Sequence, residues 1–481
     1  MLPLILVYSE TNARNIATRI GMPEYSYYFV LKWLLPVLGK IGDVKIILDP
    51  AIEADTEYQK ARQQGRDCVL FSFAPPHRTV LPKHCPVVPL VAWEFERIPD
   101  YQWDKNPYND WRALFHKTGI AITHSEFARQ AILRAMGEDY PVWSIPSPVW
   151  DCFAERGQRT HREGGRVPGT GLDLHIKGML LDSATFMPTE PPTAAITAQR
   201  PREDKVLRKL RRAARRRRSL QKLISRITRK PLDTYTSSPY SGAHHVRAKG
   251  VIYTSILNPR DGRKNWGDIG TAFVSCFQNN SDAVLIFKLN EHNSADSLYN
   301  LSKDLGRFTW MKCRVIAFNG YLADADYQNF LDSTDYVVNA STGEGQCLPL
   351  MELMSMGVPA IAPDHTSMAD YITPQNAFIL PSSKYLTCWP HDPRFLYSTK
   401  AFRVPWESLV AAYDQSYKTA RHDIAAYQSM SNAARSKLES HCSQRVVLNS
   451  LNAVMTQLRK SESTEKSCTD NEVHNTKNIH A

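Results

Sequence analysis

Ser341-Thr-Gly-Glu-Gly-Gln-Cys-Leu-Pro-Leu-Met-Glu-Leu-Met-Ser-Met-Gly-Val-Pro-Ala-Ile361 is the stretch of this 481-residue chain that decides its fold. A β-branched apolar run precedes it, and glycines at 343 and 345 end that run. Pro349 suits the first turn of a helix, where its missing N–H costs nothing, and Gly357 suits the position after a helix end. The stretch therefore predicts a strand–loop–helix–strand unit with free helix N–H groups beside a glycine-bearing loop.

Two carboxylates of this unit lie eight residues apart. Glu344 falls in the loop, and Glu352 falls about one turn into the helix. This spacing allows both acids to line one pocket, beside a helix N-terminus that favours a phosphate group. An ordinary α/β crossover with two exposed acids has the same spacing, so the residues alone leave both interpretations open.

The stretch resembles the Glu-x7-Glu signature of retaining GT-B glycosyltransferases, in particular the family 4, or group 1, type. The residues that match the signature in register are Glu344, Gly345, Leu348, Pro349, Leu350, Glu352, Met354, Gly357, Val358, Pro359 and Ile361. Gln346 and Cys347 stand where the family usually has Phe and Gly. The resemblance implies that Glu344 positions the donor sugar, that Glu352 holds the ribose, and that the loop from 345 to 348 binds the donor. The donor-binding loop residues are Gly345, Gln346, Cys347 and Leu348.

Composition places the chain among globular proteins, with 43% apolar and 10% aromatic residues. No run of eighteen apolar residues occurs, so no transmembrane helix is expected. The first eight residues lack a basic leader and are predicted to be a strand, not a signal peptide. The nine cysteines are scattered without a Cys-x-x-Cys pair or His/Cys ligand spacing. This pattern favours a reducing, cytoplasmic compartment and argues against structural zinc.

Strand-like and helix-like segments alternate over residues 1–150 and 249–440, which predicts two α/β domains with mostly parallel sheets. Residues 151–248 break the alternation and are predicted to be an insertion or linker. Residues 441–460 have a helical pattern, and residues 461–481 are polar enough to predict a disordered tail. Together with the resemblance, this order implies the GT-B architecture. Two doubly wound Rossmann-like domains face a cleft, the first on the acceptor side and the second binding the donor, and a C-terminal helix crosses back to the first domain.

A basic turn follows the first strand of the second domain. Arg260, Arg263 and Lys264 fall within five positions at the carboxyl end of that strand, where open α/β sheets bind ligands. A solvated basic turn is the alternative. The resemblance assigns the donor diphosphate to Arg260 and Lys264, and Arg263 suits either role. Fixed cations and helix N–H groups stabilise a leaving phosphate without a metal, so no metal and no cofactor besides the nucleotide sugar are expected.

Four further positions carry weaker signals. Lys288 ends a predicted strand, where it can contact donor oxygens, and Asn319 ends another, where the family often receives the nucleotide base. An ordinary β-turn is the equal alternative at Asn319. Glu94 occupies a strand end at which many family members have a histidine, and it either accepts a hydrogen bond from the acceptor hydroxyl or braces a loop. His124 precedes a predicted helix cap and is a second acceptor-side candidate.

One segment of the insertion accounts for the net charge of +11. Residues 202–230 hold fourteen Lys or Arg against two acidic residues, so the remainder of the chain is nearly neutral. Apolar residues at near-heptad spacing predict a basic amphipathic helix of the type that lies on anionic membranes. Such a helix predicts a peripheral position on the inner face of the membrane. A solvated helix and a nucleic-acid tether remain alternatives, and the lack of interleaved aromatic residues disfavours nucleic acid.

The resemblance thus predicts a retaining glycosyltransferase that moves a hexose from a nucleotide sugar to a glycan or lipid-linked glycan acceptor, in glycan or polysaccharide biosynthesis. Two alternatives remain at this point. A GT-B nucleotide-sugar epimerase would share the architecture but need no acceptor. A non-catalytic adaptor of the same fold would dock on a membrane or nucleic acid through the basic helix. The choice among UDP, GDP and ADP donors stays open.

Overall fold

The computed structural model describes residues 2–22, 24–160, 167–169, 171–192, 209, 212, 242–291, 294–320, 322, 324–389, 392, 394 and 396–477. Within these residues the chain forms two α/β halves, each around its own sheet.

The first half is built on a six-stranded parallel sheet with the strand order β2-β1-β3-β4-β5-β6. Its strands are β1 (Leu4–Ser9), β2 (Asp43–Ile46), β3 (Cys68–Phe73), β4 (Val87–Val91), β5 (Ala121–Thr123) and β6 (Val142–Ser144). Its helices are α1 (Ile16–Arg19), α2 (Ser26–Leu38), α3 (Pro50–Gln63), α4 (Trp111–Thr118) and α5 (Glu126–Met136). Strands β3 and β4 are buried along their whole length, as expected for central parallel strands covered on both faces.

The second half is built on a seven-stranded sheet with the order β15-β14-β13-β10-β11-β12-β8. Its strands are β8 (Leu180–Asp182), β10 (Val251–Leu257), β11 (Ala283–Leu289), β12 (Arg314–Asn319), β13 (Tyr336–Val338), β14 (Ala360–Ala362) and β15 (Ala377–Ile379). Two-stranded sheets are formed by β7 (Leu172–Gly178) with β9 (Gly242–Ala248), and by β16 (Ser383–Cys388) with β17 (Ser398–Arg403). The helices are α6 (Trp150–Thr160), α7 (Trp266–Phe277), α8 (Ala295–Leu305), α9 (Asp324–Asp332), α10 (Leu348–Ser355), α11 (Trp406–His422), α12 (Ile424–Cys442) and α13 (Gln444–Lys477).

The predicted insertion, residues 151–248, contributes to the second half. Strand β8 pairs antiparallel with β12 and extends the sheet at its edge. Strands β7 and β9 pair with each other, and their apolar side chains join the core of the second half. The basic run 202–230 lies outside the described residues, apart from 209 and 212, so its predicted amphipathic helix and membrane contact stay predictions.

Helix α13 provides the crossover that the GT-B architecture implies. It follows the helices of the second half, and its apolar side chains pack into the core of the first half. These side chains belong to Val447, Leu451, Val454 and Met455. The helix continues over residues 461–477, where the sequence predicts a disordered tail, and this part contains neither glycine nor proline to end a helix.

The two halves also meet in an aromatic cluster. Trp389 and Tyr397 of the second half pack with Trp93 and Trp111 of the first half, and all four side chains are buried. Buried aromatic area of this kind dominates the energetics of an interface, so the cluster helps to fix the orientation of the halves. Among the described helices, none combines the length and the apolar character that spanning a bilayer requires.

Candidate active site

A cavity of about 300 Å³ lies between the two halves, at the carboxyl ends of strands from both sheets. One wall belongs to the second half and comprises the turn after β10, the end of β11 and the loop before α10. The opposite wall belongs to the first half and comprises α2 and the ends of β4 and β5. Ligands of open α/β sheets bind at such strand ends. We call the surface of the second half, where the sequence predicts donor binding, the donor wall, and the opposite surface the first-half wall.

The donor wall contains a buried ion pair between Lys264 and Glu344. The Lys264 Nζ lies 2.7 Å from each carboxylate oxygen of Glu344, and the two side chains are 18% and 6% exposed. Ser341 Oγ and Asn339 Nδ2 donate hydrogen bonds to Glu344 Oε1 at 2.6 and 3.0 Å. Burial by itself raises the pKa of Glu344, but Lys264, the hydrogen bond from Ser341 and the charge of Arg263 together lower it below its usual value. Burial likewise lowers the pKa of Lys264, but Glu344 outweighs it and raises that pKa. Both groups are therefore charged at neutral pH.

Local capping shapes the turn that carries Lys264. Asp261 accepts a hydrogen bond from the Arg263 backbone N–H at 3.1 Å and caps the short 3₁₀ turn Gly262–Lys264. Asn265 then adopts a left-handed φ of 49°, which Asn tolerates better than most residues, and α7 begins at the next residue. The Arg263 backbone carbonyl accepts a hydrogen bond from the Thr342 N–H at 2.8 Å. The basic turn and the loop of the Glu-x7-Glu stretch are thus joined directly.

Glu94 extends from the first half and forms an ion pair with Arg263. Burial raises the pKa of Glu94, and Arg263 opposes this rise only in part. The structure therefore brings Glu94 to the cavity, where its carboxylate is paired with a cation of the donor wall, and its predicted contact with the acceptor stays a prediction. Hydrogen bonds among the described residues also cross the cleft and hold the halves together. They include Asn258 Nδ2 to Gly21 O at 3.1 Å and Asn290 Nδ2 to Tyr25 Oη at 3.2 Å. Two more join Ser147 and Gln346, from Ser147 N to Gln346 Oε1 at 2.6 Å and from Gln346 Nε2 to Ser147 Oγ at 3.1 Å.

Glu352 lies on α10 and lines the cavity beside Lys288. The hydroxyl of Tyr327 donates a hydrogen bond to Glu352 Oε2 at 2.7 Å. Burial lowers the pKa of Lys288 to about 8, and the charge of Glu352 opposes that shift in part. Lys288 also donates to Asn290 Oδ1. The donor wall thus has a cation that loses its charge in the mildly alkaline range.

The loop before α10 lies against the first half. A Cβ at Gly345 would lie 3.3 Å from both Ala92 Cβ and Trp93 N, so glycine allows the close approach of the halves. Cys347 has a left-handed φ of 63°, the conformation that a glycine adopts at least cost. Asn339 Nδ2 donates to its sulfur at 3.1 Å. Cys347 therefore has a backbone conformation that glycine adopts readily, at a position where the signature usually has Gly, and Gln346 forms hydrogen bonds with Ser147 of the first half. Gly345, Gln346, Cys347 and Leu348 all line the cavity, and their predicted binding of the donor stays a prediction.

The structure does not bring two predicted donor residues to the cavity lining. Arg260 is half-exposed and forms an ion pair with Glu291. Arg263, the alternative that the spacing leaves open, lines the cavity beside Lys264. The side-chain amide of Asn319 is used within the second half, because Oδ1 accepts from Met179 N at 2.7 Å and Nδ2 donates to Glu291 O at 3.2 Å. A three-cation turn cannot direct every side chain to the same side, and the sequence does not tell which ones face the cavity.

His124 lies in the first-half wall, and its acceptor-side role stays a prediction. Its Nδ1 is 3.0 Å from the Ile145 carbonyl, and its buried Nε2 has no hydrogen-bond partner among the described residues. Burial lowers the pKa of His124 to about 4, although the carbonyl opposes this shift. The imidazole is therefore neutral at pH 7. With its proton on Nδ1, it presents Nε2 as a free hydrogen-bond acceptor.

The sequence interpretation missed the aromatic residues of α2. Tyr25, Phe29 and Trp33 line the cavity, and Trp33 packs edge-on against Phe153 with ring centroids 5.4 Å apart. The buried Trp33 Nε1 has no acceptor within the part of the chain that the structure describes. Phe29 and Trp33 are four residues apart, so a helix places them on one face. This spacing could have indicated an aromatic face of the helix, but the same spacing is typical of a helix face that packs into an ordinary core.

Residues 300–387 match the family model described as Glycosyl transferases group 1. The match includes the Glu-x7-Glu stretch with Glu344 and Glu352, so it confirms the predicted resemblance for this segment. No curated protein sequence matches the chain.

Solved structures resemble the chain in fold at low sequence identity. One is Anabaena Alr3699/HepE in complex with UDP, with 12% identity, a TM-score of 0.50, and coverage of 95% of this chain and 100% of that chain. Another is a glycosyltransferase from Rickettsia africae ESF-5, with 10% identity and a TM-score of 0.51; the match covers 95% of this chain and 99% of that chain. A mutant of S. aureus TarM has 10% identity, a TM-score of 0.45 and 80% coverage of this chain, which spans 55% of the TarM chain. The first two likenesses confirm the predicted GT-B fold.

Proposed function

We propose that this group 1 glycosyltransferase moves a hexose from a nucleotide sugar to a glycan or lipid-linked glycan acceptor, with retention at the anomeric carbon. The observation that carries the proposal is the buried Lys264–Glu344 pair beside Arg263 in the interdomain cavity. Two cations next to a carboxylate suit a donor that is anionic at its diphosphate and rich in hydroxyl groups at its sugar.

The two cations act on the leaving group. Negative charge builds on the β-phosphate as the glycosidic bond breaks, and Lys264 and Arg263 are already in place to stabilise it. Helix α10 begins at Leu348, beside the same loop, and its N-terminal end adds partial positive charge. This arrangement needs no metal, and the nucleotide sugar is the only co-substrate that the proposal includes.

The two acids hold the donor's hydroxyl groups. Glu344, fixed by Ser341 and Asn339, accepts hydrogen bonds from the transferred sugar. Glu352, oriented by Tyr327, accepts them from the ribose. Arg263 is paired with Glu94 in the structure, so a bound diphosphate shares or replaces that pairing. Donor binding thereby releases Glu94 toward the acceptor.

The acceptor lies against the first-half wall. The attacking hydroxyl of the acceptor directs its single proton to the leaving phosphate, which takes it in a front-face attack. His124 Nε2 and Glu94 accept hydrogen bonds from other hydroxyl groups of the acceptor. The rings of Phe29 and Trp33 pack against the apolar face of the acceptor, and Trp33 Nε1 donates to one of its hydroxyl groups. A buried polar group without a partner costs about 1–3 kcal/mol, and a bound acceptor recovers that cost at both unpaired atoms.

Thermal-shift screening of the full chain tests the donor half of the proposal. We would use UDP, GDP, ADP and their sugar conjugates, with UDP first because the HepE structure of the same fold contains it. A ligand that binds only the folded state adds about 2.7 kcal/mol at one hundred times its dissociation constant. We expect a shift with one nucleotide series that disappears in Lys264→Ala and persists in Arg260→Ala. No shift with any nucleotide would overturn the proposal and favour a non-catalytic adaptor.

Product analysis then separates transfer from epimerisation. A transferase passes the sugar to an added acceptor, whereas an epimerase releases free sugar or its epimer without one. The anomeric configuration of the product, read by NMR, tests retention. An inverted product would contradict the front-face route.

The membrane part of the proposal rests on the sequence alone. Residues 202–230 provide the basic charge that an anionic surface attracts, at roughly 1 kcal/mol per basic residue. Co-sedimentation with vesicles of anionic and of neutral lipid tests it. Binding to anionic vesicles that weakens in salt supports a lipid-linked acceptor. If the protein sediments with neither kind of vesicle, the proposed membrane association is wrong.

A further inference from the structure

The two-stranded sheet of β7 and β9 has a polar cluster that the transfer reaction does not use. In its antiparallel register, His175 lies opposite His245, and Asp173 lies opposite Arg247. Side chains alternate along a strand, so these four residues share one face of the sheet. That face is exposed, whereas the other face is buried in the core of the second half.

The side chains of this cluster converge. The imidazole rings of His175 and His245 stack with centroids 4.3 Å apart and planes 8° from parallel. His245 Nε2 lies 2.5 Å from Asp173 Oδ1. One ligand atom each from Asp173, His175 and His245 lies within 4.8 Å of the other two, and among the described residues no other such trio of His, Cys, Asp or Glu occurs.

We propose that Asp173, His175 and His245 bind a divalent transition-metal ion, with Zn²⁺ as the reference ion. Two imidazole nitrogens and one carboxylate oxygen suit Zn²⁺, Co²⁺, Ni²⁺ or Cu²⁺ better than Ca²⁺ or Mg²⁺, which prefer oxygen ligands. Tetrahedral zinc at about 2.1 Å from each ligand places ligand atoms about 3.4 Å apart. Exposed side chains reach that spacing by rotation, and the ion replaces the hydrogen bond between His245 and Asp173. Water completes the coordination.

Arg247 competes with the ion for the carboxylate. Its Nε lies 3.0 Å from Asp173 Oδ2, and its side chain is 74% exposed. The guanidinium group is therefore free to move away, but its charge opposes a bound cation. Without Arg247, the Asp173 carboxylate has no competing cation from that residue. If the site exists, Arg247→Ala should therefore bind the ion more tightly than the wild type does. Lys177, on the same face of β7, serves as the matched loss of one positive charge.

Such an ion would join the two strands that flank residues 179–241. This segment contains β8 and the basic run 202–230. The metal would therefore link the strand before the segment to the strand after it. None of the three ligands lines the interdomain cavity. The site is thus separate from the donor wall, and its failure would leave the proposed transfer reaction untouched.

Metal titration of the full chain without an affinity tag tests the site. The protein is stripped with a chelator, and Zn²⁺ binding is measured by equilibrium dialysis and Co²⁺ binding by its visible absorption. We expect one tight equivalent and a rise in melting temperature with Zn²⁺. His245→Ala and Asp173→Asn should each weaken binding at least about tenfold, because the loss of even a ligand's supporting partner has that effect. Arg247→Ala should tighten binding more than Lys177→Ala.

Three results would overturn the proposal. The first is equal Zn²⁺ affinity in the wild type and His245→Ala, which would mean scattered surface binding. The second is an unchanged affinity in Asp173→Asn, which would leave an exposed histidine pair without a defined site. The third is weaker binding in Arg247→Ala. As a folding control, the nucleotide-induced rise in melting temperature of each variant is compared with that of the wild type. An equal rise indicates that the rest of the chain is folded.

Discussion

The two walls of the interdomain cavity differ in how their polar groups are satisfied. On the donor wall, Lys264 faces Glu344, Arg263 faces Asp261 and Glu94, and Tyr327 bonds Glu352. On the first-half wall, His124 Nε2 and Trp33 Nε1 are buried without a partner among the described residues. Among the described residues, these donor-wall groups are paired within the protein, whereas the first-half wall has two buried polar atoms that are not.

The cost of burying each kind of group explains this difference. A buried charge without a partner costs far more than a neutral group, so a wall that must bind a diphosphate needs counter-charges of its own while it is empty. A neutral N–H or ring nitrogen costs only about 1–3 kcal/mol when it is unpaired, which a stable domain tolerates. If the proposed function holds, the donor wall is preorganised for a leaving group that all nucleotide sugars share, and the first-half wall is where selectivity for the acceptor is expected. The predictions below test this contrast, in order of decreasing effect.

Loss of Lys264 should have the largest effect. In Lys264→Ala the leaving phosphate loses a fixed cation, and removal of one such group typically lowers kcat by about 10²–10³. The fall in kcat is measured by steady-state kinetics of sugar transfer, with the donor that the thermal-shift screen identifies. Arg260→Ala is the matched control, since Arg260 is half-exposed and outside the cavity lining. Similar losses in the two variants would show that the turn acts only through its net charge.

Replacement of Lys288 should separate stability from donor binding. Burial holds the pKa of Lys288 at about 8, below the usual 10.5. The charged form is thus disfavoured in the folded state, at about 3 kcal/mol for a shift of this size. Lys288→Met keeps the length of the side chain and removes the charge. We expect the variant to be more stable than the wild type at pH 7 and to bind the nucleotide more weakly.

The pH dependence gives the sign of this effect. Because the folded pKa lies below the unfolded one, the cost is fully present below pH 8 and disappears as the pH rises toward 10.5. The stability advantage of Lys288→Met should therefore shrink over that range, as measured by denaturant unfolding at several pH values. Lys418→Met, at a 65% exposed lysine, should show almost no advantage at any pH. A Met variant that is less stable than the wild type at pH 7 contradicts the prediction.

Gly21→Ala should loosen the closure of the two walls. Gly21 has a φ of 82°, and a Cβ there would lie 2.6 Å from the Asn290 carbonyl oxygen across the cleft. Gly119 has a φ of 64° but open space around its Cβ position. Both alanine variants bear the left-handed backbone cost of about 1–2 kcal/mol. Only Gly21→Ala adds the overpacking cost of about 1–3 kcal/mol and a loss of turnover. Equal melting temperatures and equal turnover for the two variants would mean that the halves do not close as the structure has them.

Trp33→Phe should have the smallest effect and should act on the acceptor alone. The change keeps an aromatic ring and removes Nε1, so it deletes one hydrogen bond worth about 0.5–1.5 kcal/mol. The KM for the acceptor should rise by roughly two- to tenfold, since 1.4 kcal/mol is a factor of ten. The nucleotide-induced thermal shift should not change. A weaker nucleotide shift would place Trp33 on the donor side and remove the contrast between the walls.

Local patterns left two interpretations of Glu344 and Glu352 open, and the family resemblance favoured the one in which both acids line a cavity, where the structure places them. The loop, the proline at the helix start and the eight-residue spacing allowed Glu344 and Glu352 to share one cavity, because residues so close in sequence are positioned by a single turn and helix. The same reasoning could not choose among Arg260, Arg263 and Lys264. Their directions depend on how Asp261 and Glu291 pair with them, and Glu291 lies on another strand end.

Hydrophobic periodicity and turn residues predicted the two α/β halves, since they act over short distances, and the family resemblance added the crossover helix and the donor loop. The Glu94–Arg263 pairing, the aromatic wall of α2 and the place of β8 in the second sheet became visible in the three-dimensional structure alone. The same holds for the meeting of His175 and His245, seventy residues apart, which spacing rules for metal ligands did not reveal. The physical reason is common to all of these. Strand register and the close approach of the two halves set such contacts, and both arise from packing across the whole molecule.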